Sequence, residues 1–248
     1  MSTSTGKIKR MARKCNNCYV TGEEKQLFSC SKCKFQAYCS KECQRADWKK
    51  HKPMCQNNGK LESVLKEHES TATGLFYRRT LVDGMSLYEL DQRLEKWVRW
   101  HHGTLMAATV QALRLPEDVT RAHTHILYAK LEPRPQAEHH GSPGKYFRVL
   151  DAEVIEMEDG LRRPSPWPES IVQLRGMCVE AERSKRGYCA AAFVECSPLY
   201  VQTVPFGSMT QNVMRNEVLH DTWKELFMDC IEEGKKPEIL RGRGRPRQ

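Results

Sequence analysis

Residues 15–55 read CNNCYVTGEEKQLFSCSKCKFQAYCSKECQRADWKKHKPMC, and this stretch holds seven of the chain's eleven cysteines. Its cysteines and its one histidine come in four closely spaced pairs: Cys15 and Cys18, Cys30 and Cys33, Cys39 and Cys43, and His51 and Cys55. Because nothing in the sequence routes the chain to an oxidising compartment, we interpret these pairs as metal ligands rather than disulfides. Eight sulfur and nitrogen ligands are enough for two tetrahedral structural sites, so the sequence predicts two zinc ions.

The same stretch has few large apolar side chains: Leu27, Phe28, Phe35, Tyr38 and Trp48. A segment of about 40 residues with so few does not bury enough surface to fold unaided. A structural zinc ion supplies about 10–16 kcal/mol in finger peptides, so zinc is expected to be a condition of folding here. Eight filled ligand positions leave none open for catalysis.

The second half of the stretch carries a family resemblance. The segment YCSKECQ at 38–44, followed by Asp47, Trp48, His51 and Cys55, resembles the MYND-type zinc finger, and the upstream C-x2-C pairs stand where that family has them. RING and PHD fingers, the competing families, do not end in C-x3-C followed by H-x3-C. The resemblance covers about a sixth of the chain.

The resemblance implies a crossed ligand arrangement. One ion is held by Cys15, Cys18, Cys39 and Cys43, and the other by Cys30, Cys33, His51 and Cys55. The spacing agrees with this, because Cys39 and Cys43 lie four residues apart and share a helix face. Ser40 is predicted to cap that helix, and Pro53 is predicted to come shortly after its end.

MYND fingers bind short proline-containing peptides of transcriptional regulators, often with a leucine between the prolines. The resemblance implies that Gln44 and Trp48 belong to the peptide-binding surface. Four residues apart on a helix, they face one groove, where Trp48 offers a flat apolar surface to a proline ring and Gln44 hydrogen-bonds to an extended backbone. The alternative is that Trp48 fills the small core of the finger.

The composition divides the chain into five parts, and the fold class is α+β. After a basic, disordered N-terminus (1–14) come the cross-braced two-zinc finger (15–55), a linker with a helix (56–84), a mixed helix and antiparallel-sheet domain of unassigned role (85–234), and a basic, disordered tail (235–248).

Hydrophobic periodicity predicts the elements of the domain at 85–234. A long helix starts at Ser86, which forms a capping box with Glu89, and ends at Pro116. Strands at 123–131 and 146–156 are predicted to be antiparallel neighbours across a loop rich in Pro, Gly and His. The remaining predictions are a helix at 169–183, strands at 188–196 and 199–204, and a last helix at 217–232.

An enzyme hidden in residues 85–234 is the alternative to a binding protein. Some MYND fingers are inserted in SET-domain lysine methyltransferases, but this sequence has no Asn-His pair and no SET portion before the finger. His123 and His125 are predicted to share one face of a strand without a catalytic partner. Four scattered cysteines are expected to pack as small hydrophobes: Cys178, Cys189, Cys196 and Cys230. We therefore predict no catalytic residue and no enzymatic activity.

The net charge of +9 is concentrated at the two ends of the chain. Residues 1–60 carry 14 Lys or Arg against 4 Asp or Glu, residues 61–234 carry 20 against 26, and residues 235–248 carry 6 against 1. The tail segment 241–247 resembles an AT-hook, in which Arg243, Arg245 and Arg247 would enter the minor groove of A·T-rich DNA. A solvated basic tail or a nuclear localisation signal is the alternative.

These observations predict a zinc-binding adaptor of transcription-related partners that binds proline-containing peptides through its finger and contacts DNA weakly through its tail. No run of 18 apolar residues and no secretory signal is present, so we expect neither a membrane partner nor secretion. The protein is expected to be intracellular, in the nucleus or the cytoplasm or both. The sequence indicates no oligomeric state.

Overall fold

A computed structural model describes residues 14–22, 24–33, 36–215 and 217–235. The chain forms two compact units, Met1–Thr71 and Ala72–Gln248, each with its own core. The predictions of a disordered N-terminus and an AT-hook-like tail fall almost wholly outside the described residues. None of the described helices combines the length and the apolar composition that crossing a membrane requires.

The first unit joins a two-stranded ribbon to a long helix. Strands β1 (Phe28–Ser29) and β2 (Ala37–Tyr38) are antiparallel, with Phe28 opposite Tyr38. Helix α1 (Lys41–His68) follows directly, and its N-terminus is capped by Ser40, whose Oγ accepts a hydrogen bond from the backbone N–H of Cys43 at 3.2 Å. The predicted cap is therefore confirmed.

Helix α1 does not end before Pro53, so that prediction was wrong. The helix continues through Pro53 to His68 and includes the predicted linker helix. Pro53 is exposed, and the last turns of the helix, from Lys60 to His68, consist mostly of good helix formers. An ion pair four residues apart, Lys66 Nζ to Glu62 Oε1 at 2.8 Å, supports the last turns.

The second unit is built on a four-stranded mixed sheet in the order β4-β3-β5-β6. Its strands are β3 (His125–Pro133), β4 (Phe147–Glu156), β5 (Tyr188–Glu195) and β6 (Gln202–Met209). The predicted antiparallel pairing of β3 with β4 is confirmed, and β5 pairs antiparallel with β6. The central pair, β3 with β5, is parallel. The α+β class is thus confirmed, with a mixed sheet.

The helices of this unit cover both faces of the sheet. In chain order they are α2 (Ala72–Thr80), α3 (Leu87–Trp100), α4 (His102–Ala112), α5 (Gln136–His139), α6 (Met157–Arg162), α7 (Trp167–Arg183), α8 (Gln211–Met214) and α9 (Trp223–Glu233). Alternate residues of β3 enter two separate cores. Leu127 packs with α3, α4 and α9, whereas Ile126 packs with α6 and α7.

The helix predicted from Ser86 to Pro116 is two helices, α3 and α4, which meet at His101. The predicted capping box is present: Glu89 N–H donates to Ser86 Oγ at 3.1 Å, and Ser86 N–H donates to Glu89 Oε2 at 2.7 Å. His101 leaves the helical conformation (φ −94°, ψ 14°) and its Nε2 lies 2.8 Å from the carbonyl oxygen of Gly144. The division between the two helices therefore lies at a residue that contacts a distant loop.

Other boundaries move by a few residues. The strand expected from His123 starts at His125, because Asp118 caps a 3₁₀ turn that ends at His123. The strand expected at 199–204 lies at Gln202–Met209, because the Ser197–Pro198 turn continues through Leu199. The last helix starts at Trp223 rather than at residue 217.

Candidate metal centre and neighbouring surface

The first ligand group lies at the start of α1. It contains the sulfur atoms of Cys15, Cys18, Cys39 and Cys43, all within 4.8 Å of one another. Cys39 Sγ lies 3.5 Å from Cys18 Sγ and 3.6 Å from Cys43 Sγ. Cys43 comes from the first turn of α1.

The second ligand group is fully buried and lies further along the same helix. It contains Cys30, Cys33, His51 and Cys55. Cys30 Sγ lies 3.8 Å from Cys55 Sγ, and Cys33 Sγ lies 3.6 Å from His51 Nε2. Helix α1 therefore supplies ligands to both groups. The two groups are the two sets that the crossed arrangement implies.

The distances within both groups fit zinc. A tetrahedral ion with Zn–S bonds of about 2.3 Å places its sulfur ligands about 3.8 Å apart, and a Zn–N bond of about 2.0–2.1 Å shortens the S···N distance to about 3.6 Å. The observed separations of 3.5–3.8 Å agree. Four thiolates in one group, and three thiolates with an imidazole in the other, are the soft donor sets that zinc prefers.

The pKa values of the thiols show why a cation is needed. Burial opposes ionisation of Cys15, but hydrogen bonds from the backbone of Cys18 and Cys39 lower its pKa to about 6. In the same group, the hydrogen bond to Cys18 Sγ and burial raise the pKa of Cys39 to about 12. Without a metal, Cys39 therefore keeps its proton, and metal binding must displace that proton.

The second ligand group likewise contains one thiol with a lowered pKa and one with a raised pKa. Hydrogen bonds from the backbone of Cys33 and from His51 outweigh burial and lower the pKa of Cys30 to about 6. Burial and the neighbouring Cys30 sulfur raise the pKa of Cys55 to about 11. When bound, zinc supplies the positive charge that lets all of these sulfurs be thiolates, and it joins β1, β2 and α1 into one fold.

Tyr38 and Asp47 connect the ribbon to the helix independently of the metal. The Tyr38 hydroxyl donates a 2.7 Å hydrogen bond to Asp47 Oδ2, and its ring lies edge-on to His51 at 5.9 Å. Burial and the Asp47 carboxylate raise the pKa of Tyr38 well above its usual value. The hydroxyl therefore remains a donor at any physiological pH.

Trp48 lies at the surface, outside the buried core of the finger. Its side chain is 40% exposed, and its ring meets His51 edge-on at 5.7 Å. The core itself consists of ligand cysteines and Tyr38, with Val20 and Leu27 packed against them. Gln44, one turn earlier, is partly exposed. The structure thus places Gln44 and Trp48 together on one side of a helix that both ligand groups hold.

Residues 15–55 match the MYND finger family. These residues are a MYND finger. The chain is 55% identical over 58 residues to SET domain-containing protein 14 of Caenorhabditis elegans, covering 23% of this chain and 11% of that protein. It is 49% identical over 41 residues to Egl nine homolog 1 of Homo sapiens (16% and 10%), and 41% identical over 56 residues to Tudor domain-containing protein 1 of Oryzias latipes (23% and 5%).

The likeness to these relatives is confined to the finger region, and it spans about a tenth or less of each relative's length. MYND fingers are protein-interaction modules. No solved structure was found to match the chain.

The other candidate residues lie apart from the metal centre. His123 and His125 do not share a strand face: His123 ends a 3₁₀ turn, where its Nε2 lies 2.8 Å from Glu182 Oε1, while His125 Nδ1 lies 2.7 Å from Thr124 Oγ1. The cysteines outside the finger are all buried: Cys178, Cys189, Cys196 and Cys230. Over the described ranges, only the two groups of the finger bring together three or more ligands of the His, Cys, Asp and Glu type.

Arg243, Arg245 and Arg247 lie outside the described residues, so the DNA-binding prediction stays a prediction. The structure adds a feature that the sequence prediction missed, a cleft between the Cys30–Cys33 loop and the middle of α1 that is lined in part by Lys32 and Lys60. The sequence did contain a sign of this surface, a row of side chains four residues apart that continues past Pro53. It was overlooked because the helix was expected to end there.

Proposed function

We propose that this protein is an adaptor whose MYND finger binds proline-containing peptides of transcription-related partner proteins. The observation that carries the proposal is the exposed Trp48 beside Gln44 on the helix that both ligand groups hold. An exposed indole on a fixed helix offers a flat face for a proline ring at little entropic cost. The neighbouring amide of Gln44 can pair with the backbone of an extended peptide.

Different residues of the finger have different roles in peptide binding. The ligand groups hold α1 against the ribbon, so Gln44 and Trp48 are positioned before a peptide arrives. His51 supports the indole edge-on from the second ligand group. Because the ligand positions are all used by the protein, zinc has a structural role, and we propose no catalytic residue and no enzymatic activity for the chain.

We also propose where the protein is located in the cell and what its C-terminal tail contacts. The partners that we expect place the protein in the nucleus, the cytoplasm or both. Arg243, Arg245 and Arg247 would add weak, salt-sensitive contact with A·T-rich DNA, as each neutralised phosphate contributes about −0.9 to the logarithmic salt slope. Comparing the full chain with one that ends at Gly234, on A·T-rich and G·C-rich duplexes, tests this contact.

The test of peptide binding uses the zinc-loaded full chain and a fluorescein-labelled peptide with a Pro-x-Leu-x-Pro core. Anisotropy should report binding to the wild type, and Trp48→Ala should weaken it at least about tenfold while both zinc ions stay bound. Phe28→Ala is the control, because Phe28 is an exposed aromatic residue of the same finger that lies outside the Gln44–Trp48 pair. Equal affinity of Trp48→Ala and wild type would exclude this surface.

A further inference from the structure

Five side chains form a continuous row along α1. Gln44, Trp48, Lys52, Gln56 and Lys60 follow one another at intervals of four residues, so they form a ridge that turns by about 40° around the helix at each step and brings Lys60 about 120° round from Trp48. All but Gln44 are exposed, and Gln44 is partly exposed. The row begins at the Gln44–Trp48 pair and becomes basic beyond it.

The far end of the row opens into a cleft of about 450 Å³. The cleft is lined by Lys32, Gln56, Gly59, Lys60, Ser63 and Val64. Lys32 lies in the loop between the ligands Cys30 and Cys33, so the second ligand group fixes one wall. A Cβ on Gly59 would come within 2.8 Å of Lys32 Cε, so the glycine lets the lysine stem lie against the helix.

The cleft has unneutralised positive charge at its rim. Lys32, Lys52 and Lys60 form no ion pair with any residue that the structure describes. Gln56 and Ser63 add neutral polar groups, and Val64 adds an exposed apolar contact. Two ammonium groups beside an amide fit the carboxylates of acidic side chains, each of which accepts several hydrogen bonds. The Ser63 hydroxyl already donates to the carbonyl oxygen of Gly59 at 3.2 Å.

We propose that the row and its cleft bind an acidic segment that flanks the proline-containing core of the partner. This inference rests on the proposed function, because it takes the proline to lie on Trp48. At about 1.5 Å per residue, Gln56 lies about 12 Å along the helix from Trp48 and Lys60 lies about 18 Å from it. An extended peptide advances about 3.3 Å per residue, which places its acidic residues about four to six positions from that proline.

A peptide fits this surface better than a nucleic acid does. The basic row is continuous with the aromatic surface of Trp48, and the cleft is an open groove with a mainly apolar lining and two lysines among its lining residues. Such sites accept side chains, whereas phosphate backbones are bound mainly by cations spread over an open surface.

The experiment measures the affinity of the zinc-loaded full chain for three labelled peptides with the same Pro-Ser-Leu-Ser-Pro core. One has neutral Ser and Gly flanks, one has Glu at positions four to six after the last proline, and one has Glu at positions four to six before the first. At low salt (about 50 mM), one acidic peptide should bind about tenfold more tightly than the neutral peptide. At about 500 mM salt most of that advantage should be lost.

Substitutions test which residues cause the tighter binding of the acidic peptide. In the double variant Lys32→Glu, Lys60→Glu, the acidic peptide should no longer bind more tightly than the neutral peptide, and the affinity for the neutral peptide should stay within about twofold of the wild-type value. The milder Lys60→Gln should reduce the difference in affinity between the two peptides. Lys25→Glu is the control, because it changes the same charge in the turn before β1, outside the cleft. Zinc content measured for each variant shows that the finger remains folded.

The outcomes separate the two proposals. If all three peptides bind equally and Trp48→Ala abolishes their binding, the inference of an acidic flank is overturned and the proposed function stands. If no peptide binds, both are overturned. A short DNA duplex that binds more tightly than the acidic peptides, through Lys32 and Lys60, would also overturn the inference and reassign this surface to nucleic acid.

Discussion

His101 is a histidine with no exposed surface, and it joins α3 to the loop at Gly144. Burial lowers its pKa to about 4, against a smaller opposite effect of the Gly144 carbonyl. The imidazole is therefore neutral at physiological pH and donates its Nε2 proton to that carbonyl. In the unfolded chain the pKa returns to about 6.5, so the unfolded state binds the extra proton first.

This difference predicts a pH dependence of stability. Between pH 6.5 and 4 the unfolded state carries one more proton than the folded state, so the free energy of unfolding should fall as the pH falls, by up to about 1.4 kcal/mol per pH unit. His101→Gln, which does not titrate, should lower that slope in urea unfolding of the second unit. An unchanged slope in the variant would show that His101 does not cause it.

A second prediction concerns the substitution of Gly144. A Cβ there would lie 2.5 Å from both the carbonyl oxygen of Gly234 and Trp100 Nε1, which are hydrogen-bonded to each other at 3.0 Å. Gly144→Ala should therefore destabilise the second unit by about 1–3 kcal/mol. Gly176→Ala is the matched control: this exposed position in α7 has open space around it, so alanine should stabilise by about 0.5–1 kcal/mol. Equal effects in thermal unfolding would contradict the clash.

At the scale of the element, α1 is the central part of the finger, because it carries ligands of both groups, the Gln44–Trp48 pair and one wall of the cleft. Pro53 interrupts its backbone hydrogen bonding. Pro53→Ala should restore that donor and stabilise the zinc-loaded helix by up to about 3 kcal/mol, measured by circular dichroism during heating. Lys49→Ala, an exposed substitution one turn earlier, should change little. A loss of stability in Pro53→Ala would contradict this prediction.

Elements set by neighbouring residues were predictable. The Ser40 cap, the Ser86–Glu89 capping box and the β3–β4 pairing depend on residues close in sequence, and each was predicted. The ligand pairs are similarly local.

Features that depend on distant residues were not predictable. The break at His101 coincides with a contact to Gly144, 43 residues away, and the parallel pairing of β3 with β5 joins segments on either side of α6 and α7. The cleft requires Lys32 to meet a helix turn that lies beyond a proline. The His101–Gly144 contact and the β3–β5 pairing leave no periodic signal in the sequence.

At the scale of the whole molecule, the two units depend on different forces. The second unit buries large apolar side chains on both faces of its sheet, whereas the core of the finger consists mainly of metal-ligand cysteines. A chelator should therefore unfold the finger and leave the thermal transition of the second unit within a few degrees of its original value. Loss of both transitions on chelation would contradict this independence.

The central claim is that the finger holds two zinc ions through crossed ligand groups. Native mass spectrometry of the purified full chain tests it most directly. We expect a mass that exceeds that of the metal-free chain by two zinc ions, less the protons displaced from the cysteines. We also expect Cys39→Ala to lose at least one zinc ion together with the folded structure of the finger. A wild-type chain with one zinc ion or none, and a finger that is still folded, would contradict the claim.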